Sequence, residues 1–223
     1  MSVRTFKEVL VTRDLVQAND LIAVRVRALC DRAGALLVNI VSSPGSGKTT
    51  LLERIAEHME PAEIAVIHAD LDTERDRRRI AAKGVATVQL KTLGACHIGA
   101  EVVEQVIPGL LGGRRRYVFI ENIGNLICPT EVDLGEHVRV VVLSTPEGDD
   151  KVMKYPLAFR SSHVLVINKT DLLPYVPFRA ETVIREARSL NPAIKVFQVS
   201  ALKDEGIGDL IGHFVKTRGR CMK

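Results

Sequence analysis

Leu37-Val38-Asn39-Ile40-Val41-Ser42-Ser43-Pro44-Gly45-Ser46-Gly47-Lys48-Thr49-Thr50 reads as a short apolar strand, a glycine-rich turn and a Lys-Thr-Thr that opens a helix through Leu51, Leu52 and Ile55. That order is the phosphate-binding loop of nucleotide-hydrolysing proteins. The glycines let consecutive backbone N–H groups curl around an anion, and the helix aims its positive end at the same point. Lys48 is placed to reach the terminal phosphates and Thr49 to offer its hydroxyl to magnesium. The strict motif asks for glycine six residues before the lysine, where this chain has Ser42.

Outward from the loop, apolar strands alternate with helical runs. Ile64–Ile67, Val85–Leu90, Tyr117–Ile120, Val138–Leu143, Val164–Ile167 and Val196–Val199 are strand-like. Residues 14–32, 48–59, 98–108, 152–159, 179–190 and 207–215 carry helical spacing. The alternation predicts an α/β fold of the P-loop NTPase type, three layers with a mostly parallel central sheet and helices on both faces. Residues 1–223 make one domain, with 1–13 expected as a loosely docked arm.

Chemistry collects after the strands, where open α/β sheets bind ligands. Asp70, just past the second strand, is expected at the magnesium ion; Asp72 and Asp76 are weaker candidates. Glu121 ends the next core strand, with Gly124 three residues on, the usual layout for sensing a terminal phosphate. Lys48, Asp70 and Glu121 are the expected catalytic set. Thr49, Asp70 and Glu121 are the expected magnesium ligands, and Gly45, Ser46, Gly47 and Thr50 complete the phosphate cradle.

Asn168-Lys169-Thr170-Asp171 follows a buried-type strand. Guanine presents two N–H donors side by side, and one carboxylate, here Asp171, accepts both. Adenine has an acceptor at that edge and would leave the carboxylate unpaired. Asn168 suits the other edge of the base, the Lys169 stem can lie over the ring, and Ser200-Ala201-Leu202 fits a backbone donor to the guanine oxygen. GTP is therefore expected over ATP. A small-molecule kinase that uses ATP is the rival.

Cys96-His97 and Cys128 offer three soft or borderline donors and match no common finger spacing. Both groups follow strands on the ligand side. They read either as a metal site or as a capped turn with a half-buried cysteine.

Lys+Arg 31 against Asp+Glu 27 leaves a net charge of +4, too little to argue for nucleic acid, and no tryptophan is present. No apolar run approaches the roughly 18 residues of a membrane span, and Met1–Glu8 lacks a signal-peptide core. A cytoplasmic protein without nucleic-acid or membrane partners is expected. Cys30 and Cys221 read as structural or incidental.

Together Ser43–Thr50, Glu121-Asn-Ile-Gly-Asn-Leu-Ile-Cys-Pro129, Glu147-Gly-Asp-Asp-Lys151 with Lys154-Tyr-Pro156, and Asn168–Leu172 resemble the HypB family, the hydrogenase nickel-incorporation GTPases, over about residues 14–218. The resemblance implies a homodimer that forms on GTP binding and slow hydrolysis coupled to nickel insertion into the large subunit of nickel–iron hydrogenase. It also implies a HypA-like zinc and nickel chaperone as partner. It makes Cys96, His97 and Cys128 the regulatory nickel or zinc ligands. This chain lacks the Cys-rich nickel motif and the His-rich tract of some members, and has Ala69 where many have glycine. The related urease nickel GTPase carries a Cys-Pro-His arrangement, but Thr130 follows Cys128-Pro129 here. A metal-independent GTP switch or adaptor is the rival of a different class.

Overall fold

The computed structural model describes residues 3–69, 74–90 and 96–222, with side chains from Val16 onward and, in the third helix, from Arg77. Seven strands form one sheet: β1 Leu36–Ser42, β2 Ile64–His68, β3 Ala86–Gln89, β4 Tyr117–Gly124, β5 Val138–Ser144, β6 Val164–Asn168 and β7 Lys195–Gln198. Their order is β3-β2-β4-β1-β5-β6-β7. Every pairing between them is parallel, so the sheet expected as mostly parallel is wholly so among the described residues.

Alternation along the strands builds the layers. Leu36, Val38 and Ile40 of β1 face one way with Val66 and Phe119. They pack under α2 (Lys48–His58), α3 (Glu74–Ala81) and α8 (Ile207–Cys221) through Leu51, Ile55, Ile80, Leu210 and Phe214. Leu37, with Ala65, Ile67 and Val118, faces α1 (Val3–Ala33) and α4 (Ala100–Leu110). Beyond β5 the same face is closed by α5 (Lys151–Lys154), α6 (Pro156–Arg160) and α7 (Ala180–Leu190). Strands covered on both faces read as continuous apolar runs, which is why β5 is Val-Arg-Val-Val-Val-Leu-Ser.

One polar strip crosses this second face. Arg139 donates to Glu136 at 2.6 Å, to the Thr130 carbonyl at 2.7 Å and to the Val132 carbonyl at 2.7 Å. Asn39 donates to Glu136 at 3.2 Å and accepts from Asn122 at 3.1 Å. The buried charges are thus paired and hydrogen-bonded, and they anchor the loop that follows Cys128 onto the sheet.

Three expectations are corrected. The helix expected from Asp14 begins at Val3, so segment 3–13 is helical. It holds no glycine or proline to stop the helix. The run 152–159, expected as one helix, is broken at Tyr155 (φ −128°, ψ 56°), because Pro156 pushes its predecessor out of the helical region. Pro108, expected as a stop, lies within α4 near its end, where it gives up one helical hydrogen bond and crowds the carbonyl of Glu104 in the preceding turn.

Candidate functional site

The β1–α2 turn takes the shape its sequence demands. Gly45 and Gly47 have φ of 75° and 94°, values that strain any residue with a Cβ. A Cβ on Gly47 would also meet Asn168 Nδ2 at 2.6 Å. Ser42, the departure from the strict motif, accepts the Lys48 ammonium at 3.0 Å through its hydroxyl and donates to the Ser43 carbonyl at 2.7 Å. Lys48 is almost fully buried at the start of α2.

The two expected magnesium ligands that the structure describes meet each other. The Thr49 hydroxyl donates to Glu121 Oε1 at 2.5 Å, and Glu121 Oε2 lies 2.7 Å from His68 Nδ1. Burial pushes the Glu121 carboxyl up. The hydrogen bonds from His68 and Thr49, with the Lys48 charge, outweigh it and hold the group below its ordinary value. Nothing in the sequence near His68 marks it for this role; β2–β4 register, which pairs it with Glu121, is what brings it here. Asp70 and Asp72 lie outside the described residues, as does the side chain of Asp76.

Gly124 sits against the phosphate loop, since a Cβ there would meet Pro44 at 3.1 Å. Glu147 also braces the loop from the β5 end. Its Oε1 accepts from the Ser144 N–H at 2.8 Å, the Ser144 hydroxyl at 2.7 Å and the Ser46 hydroxyl at 2.7 Å. The Ser46 contact joins residues 101 positions apart, beyond the reach of any local motif. The Ser144–Glu147 capping box was the available signal.

The base side is assembled from β6 and the segment after β7. Asn168 donates to the Ser46 carbonyl at 2.9 Å and accepts the Ala201 N–H at 3.2 Å. Ala201 therefore spends its N–H on positioning Asn168. Lys169 adopts φ 60° and its ammonium reaches the Gly45 carbonyl at 2.7 Å. The Ser200 hydroxyl donates to Asp171 Oδ1 at 2.5 Å and fixes the carboxylate. Asn168, Lys169, Asp171, Ala201 and Leu202, with Gly47 and Thr50, line an open cleft of about 310 Å³, at the lower end of small-molecule sites.

Cys96, His97 and Cys128 converge, with one ligand atom from each lying within 4.8 Å of the others. Cys96 Sγ is 3.4 Å from His97 Nδ1, close to the roughly 3.5 Å edge of a tetrahedron with metal–sulfur and metal–nitrogen bonds of ordinary length. The hydrogen bond with Cys128 raises the Cys96 thiol; a metal binds the thiolates, so its entry releases protons. Two sulfurs and an imidazole suit nickel or zinc. Three donors, two of them exposed, leave coordination positions open for water or another molecule. Cys30 is buried on the inner face of α1 and Cys221 is exposed at the end of α8; neither joins the cluster.

The fold and the loop define a P-loop nucleotide-binding protein. The family model described as CobW/HypB/UreG, nucleotide-binding domain, matches residues 36–198. The hydrogenase maturation factor HypB of Azotobacter chroococcum is 42% identical over 214 residues, covering 96% of this chain and 70% of the relative. A crystal structure of HypB from Helicobacter pylori in complex with nickel superposes with a TM-score of 0.86 at 34% identity, over 92% of this chain and 97% of that one. HypB from Archaeoglobus fulgidus gives 0.85 at 32%, over 91% and 99%. The chain belongs to the CobW/HypB/UreG family and, within it, to the HypB group. Among the described residues, no helix is long and apolar enough to cross a membrane.

Proposed function

We propose that this chain binds GTP, hydrolyses it slowly, dimerises on the nucleotide and uses that cycle to deliver nickel during maturation of a nickel–iron hydrogenase. The observation that carries the reading is the position of the Cys96–His97–Cys128 cluster. Its third ligand lies four residues beyond Gly124, which itself packs on Pro44 of the phosphate loop.

In this reading Gly45, Gly47, Lys48 and Thr49 hold the phosphates. Asn168 and Asp171 read guanine, with the Lys169 stem over the ring. Thr49 and Glu121, with Asp70, would hold magnesium, which neutralises charge developing on the phosphates when bound. The protein's own contribution is positional and electrostatic. His68 and Thr49 keep Glu121 ionised and oriented, and Ser200 keeps Asp171 aimed. Nickel is cargo at Cys96, His97 and Cys128, with zinc the competing occupant. Closure of two chains around nucleotide changes that geometry, and linkage requires metal to change nucleotide affinity equally. A HypA-like chaperone would supply the metal and the hydrogenase large subunit receive it.

Sedimentation with GDP or a non-hydrolysable GTP analogue, with and without nickel, tests this when bound metal is counted per chain. A dimer that appears with the analogue and changes its metal content is expected. A monomer throughout that binds no metal leaves a plain GTP switch. ATP displacing GTP would overturn the base assignment.

A further inference from the structure

The ligands of the cysteine–histidine cluster come from two chain segments, and neither is a rigid element at the ligand itself. Cys96 and His97 lie in the bend ahead of α4, and Cys128 opens a single 3₁₀ turn. Something must set the distance between the segments. Two asparagines span them, and each uses both ends of its amide.

Asn125 is the inner one. Its Oδ1 accepts the Ile127 N–H at 2.8 Å, which shapes the turn carrying Cys128. Its Nδ2 donates to the Cys96 carbonyl at 3.5 Å, a long bond on the backbone of the opposite ligand. Asn19, on α1, is the outer one. Its Oδ1 accepts the Ala100 N–H at 2.9 Å, at the first turn of α4, three residues after His97. Its Nδ2 donates to the Asp133 carbonyl at 2.8 Å, five residues after Cys128. The outer bridge is stiffened on the same helix. Arg27 binds both oxygens of Asp133 at 3.1 and 2.9 Å, and a Cβ on Gly135 would collide with the Ala23 carbonyl at 2.5 Å. A primary amide carries its acceptor oxygen and its donor nitrogen on separate atoms at the end of one short side chain, so it can hold a partner at each.

We propose that Asn19 and Asn125 are positioning residues for the Cys96–His97–Cys128 metal site, holding its two ligand-bearing segments at the separation an ion needs. The proposal rests on the metal reading of that cluster. It also gives Asn125 a second connection, because its neighbour Gly124 rests on Pro44 of the phosphate loop. Movement of that loop reaches Cys96 and Cys128 through one side chain.

The test is nickel affinity of the full-length protein, measured by competition with a chromophoric chelator, together with the thiolate-to-nickel absorption band. Asn19→Leu and Asn125→Ala are expected to weaken nickel binding by about 10–100-fold, the range seen when groups that orient ligands are removed, and to shift the band. Asn19→Asp keeps the acceptor for Ala100 but cannot donate to Asp133, so it should fall between Asn19→Leu and the parent; it also serves if the leucine variant fails to fold. Arg25→Gln removes the exposed Arg25–Glu104 pair between the same two helices and should leave nickel affinity within about twofold of the parent. Parent-like affinity and absorption in Asn19→Leu or Asn19→Asp overturns the proposal. So does an equal loss in Arg25→Gln, which would indicate general loosening of α1. Cys96→Ala separates the two readings: if it leaves nickel binding intact, the metal site itself is wrong; if it abolishes binding while the asparagine variants do not, only the positioning role falls.

Discussion

His68 Nδ1 lies 2.7 Å from Glu121 Oε2, and both residues are 1% exposed. They are direct register partners on adjacent parallel strands, β2 and β4. The other Glu121 oxygen takes the Thr49 hydroxyl. A buried carboxylate is stable only when its oxygens are satisfied, so His68 and Thr49 are what keep Glu121 charged at the end of β4.

Removing His68 therefore leaves Glu121 half-satisfied. That costs about 1–3 kcal/mol, or roughly 5–150-fold in an equilibrium. His68→Leu should raise the magnesium concentration needed for half-maximal GTP hydrolysis and lower the maximal rate. An unchanged magnesium titration would show that His68 does not position Glu121.

Asp171 carries the choice of base. Asn at this position cannot accept two N–H donors on one charged carboxylate. Hydrogen bonds to charged groups contribute about 1.5–3 kcal/mol each, so Asp171→Asn should weaken GTP by at least about 100-fold. Xanthosine triphosphate, which carries a carbonyl where guanine has its amino group, should gain in relative affinity. Competition against a fluorescent GTP analogue measures both; parent-like GTP binding would remove Asp171 from the base site.

Glu147 braces the phosphate loop through Ser46 and its own capping box. Glu147→Ala removes the acceptor of both Ser144 donors and cuts the tie to Ser46, whose hydroxyl keeps the Ser43 carbonyl, at an expected cost of about 1–3 kcal/mol. Each kcal/mol is worth roughly 2–4 °C in a domain of this size. The drop should show in a thermal melt without nucleotide and be smaller with GTP bound. A melting curve matching the parent would reduce Glu147 to a local cap.

Cys30 should be chemically silent. Burial, reinforced by Asp31 and opposed by Arg27, pushes its thiol up to about 12. A raised value favours the protonated folded state. Its contribution is present below the ordinary thiol value of 9.0 and is lost as pH climbs towards 12. At pH 8 the folded, metal-free protein should show three thiols reactive towards a small disulfide reagent, and four after unfolding. Four in the folded state would place Cys30 at the surface.

Local chemistry made the nucleotide half of this protein legible in its sequence. The phosphate loop and Asn168-Lys169-Thr170-Asp171 are contiguous. Their turn residues, charges and flanking apolar strands sit within one short stretch, so spacing alone states the geometry. The break at Tyr155 was equally local, since Pro156 imposes it. What only the tertiary structure decided are contacts between residues far apart in the chain. His68 meets Glu121 because two parallel strands align in register. Ser46 meets Glu147 because β1 and β5 are neighbours. Asn19 reaches Ala100 and Asp133 because α1 lies across the second face of the sheet. Parallel strands are joined by long crossovers, so no short-range pattern records which side chains they bring together. The three metal-binding candidates lay between these cases. Their identities were visible, but their convergence required the sheet.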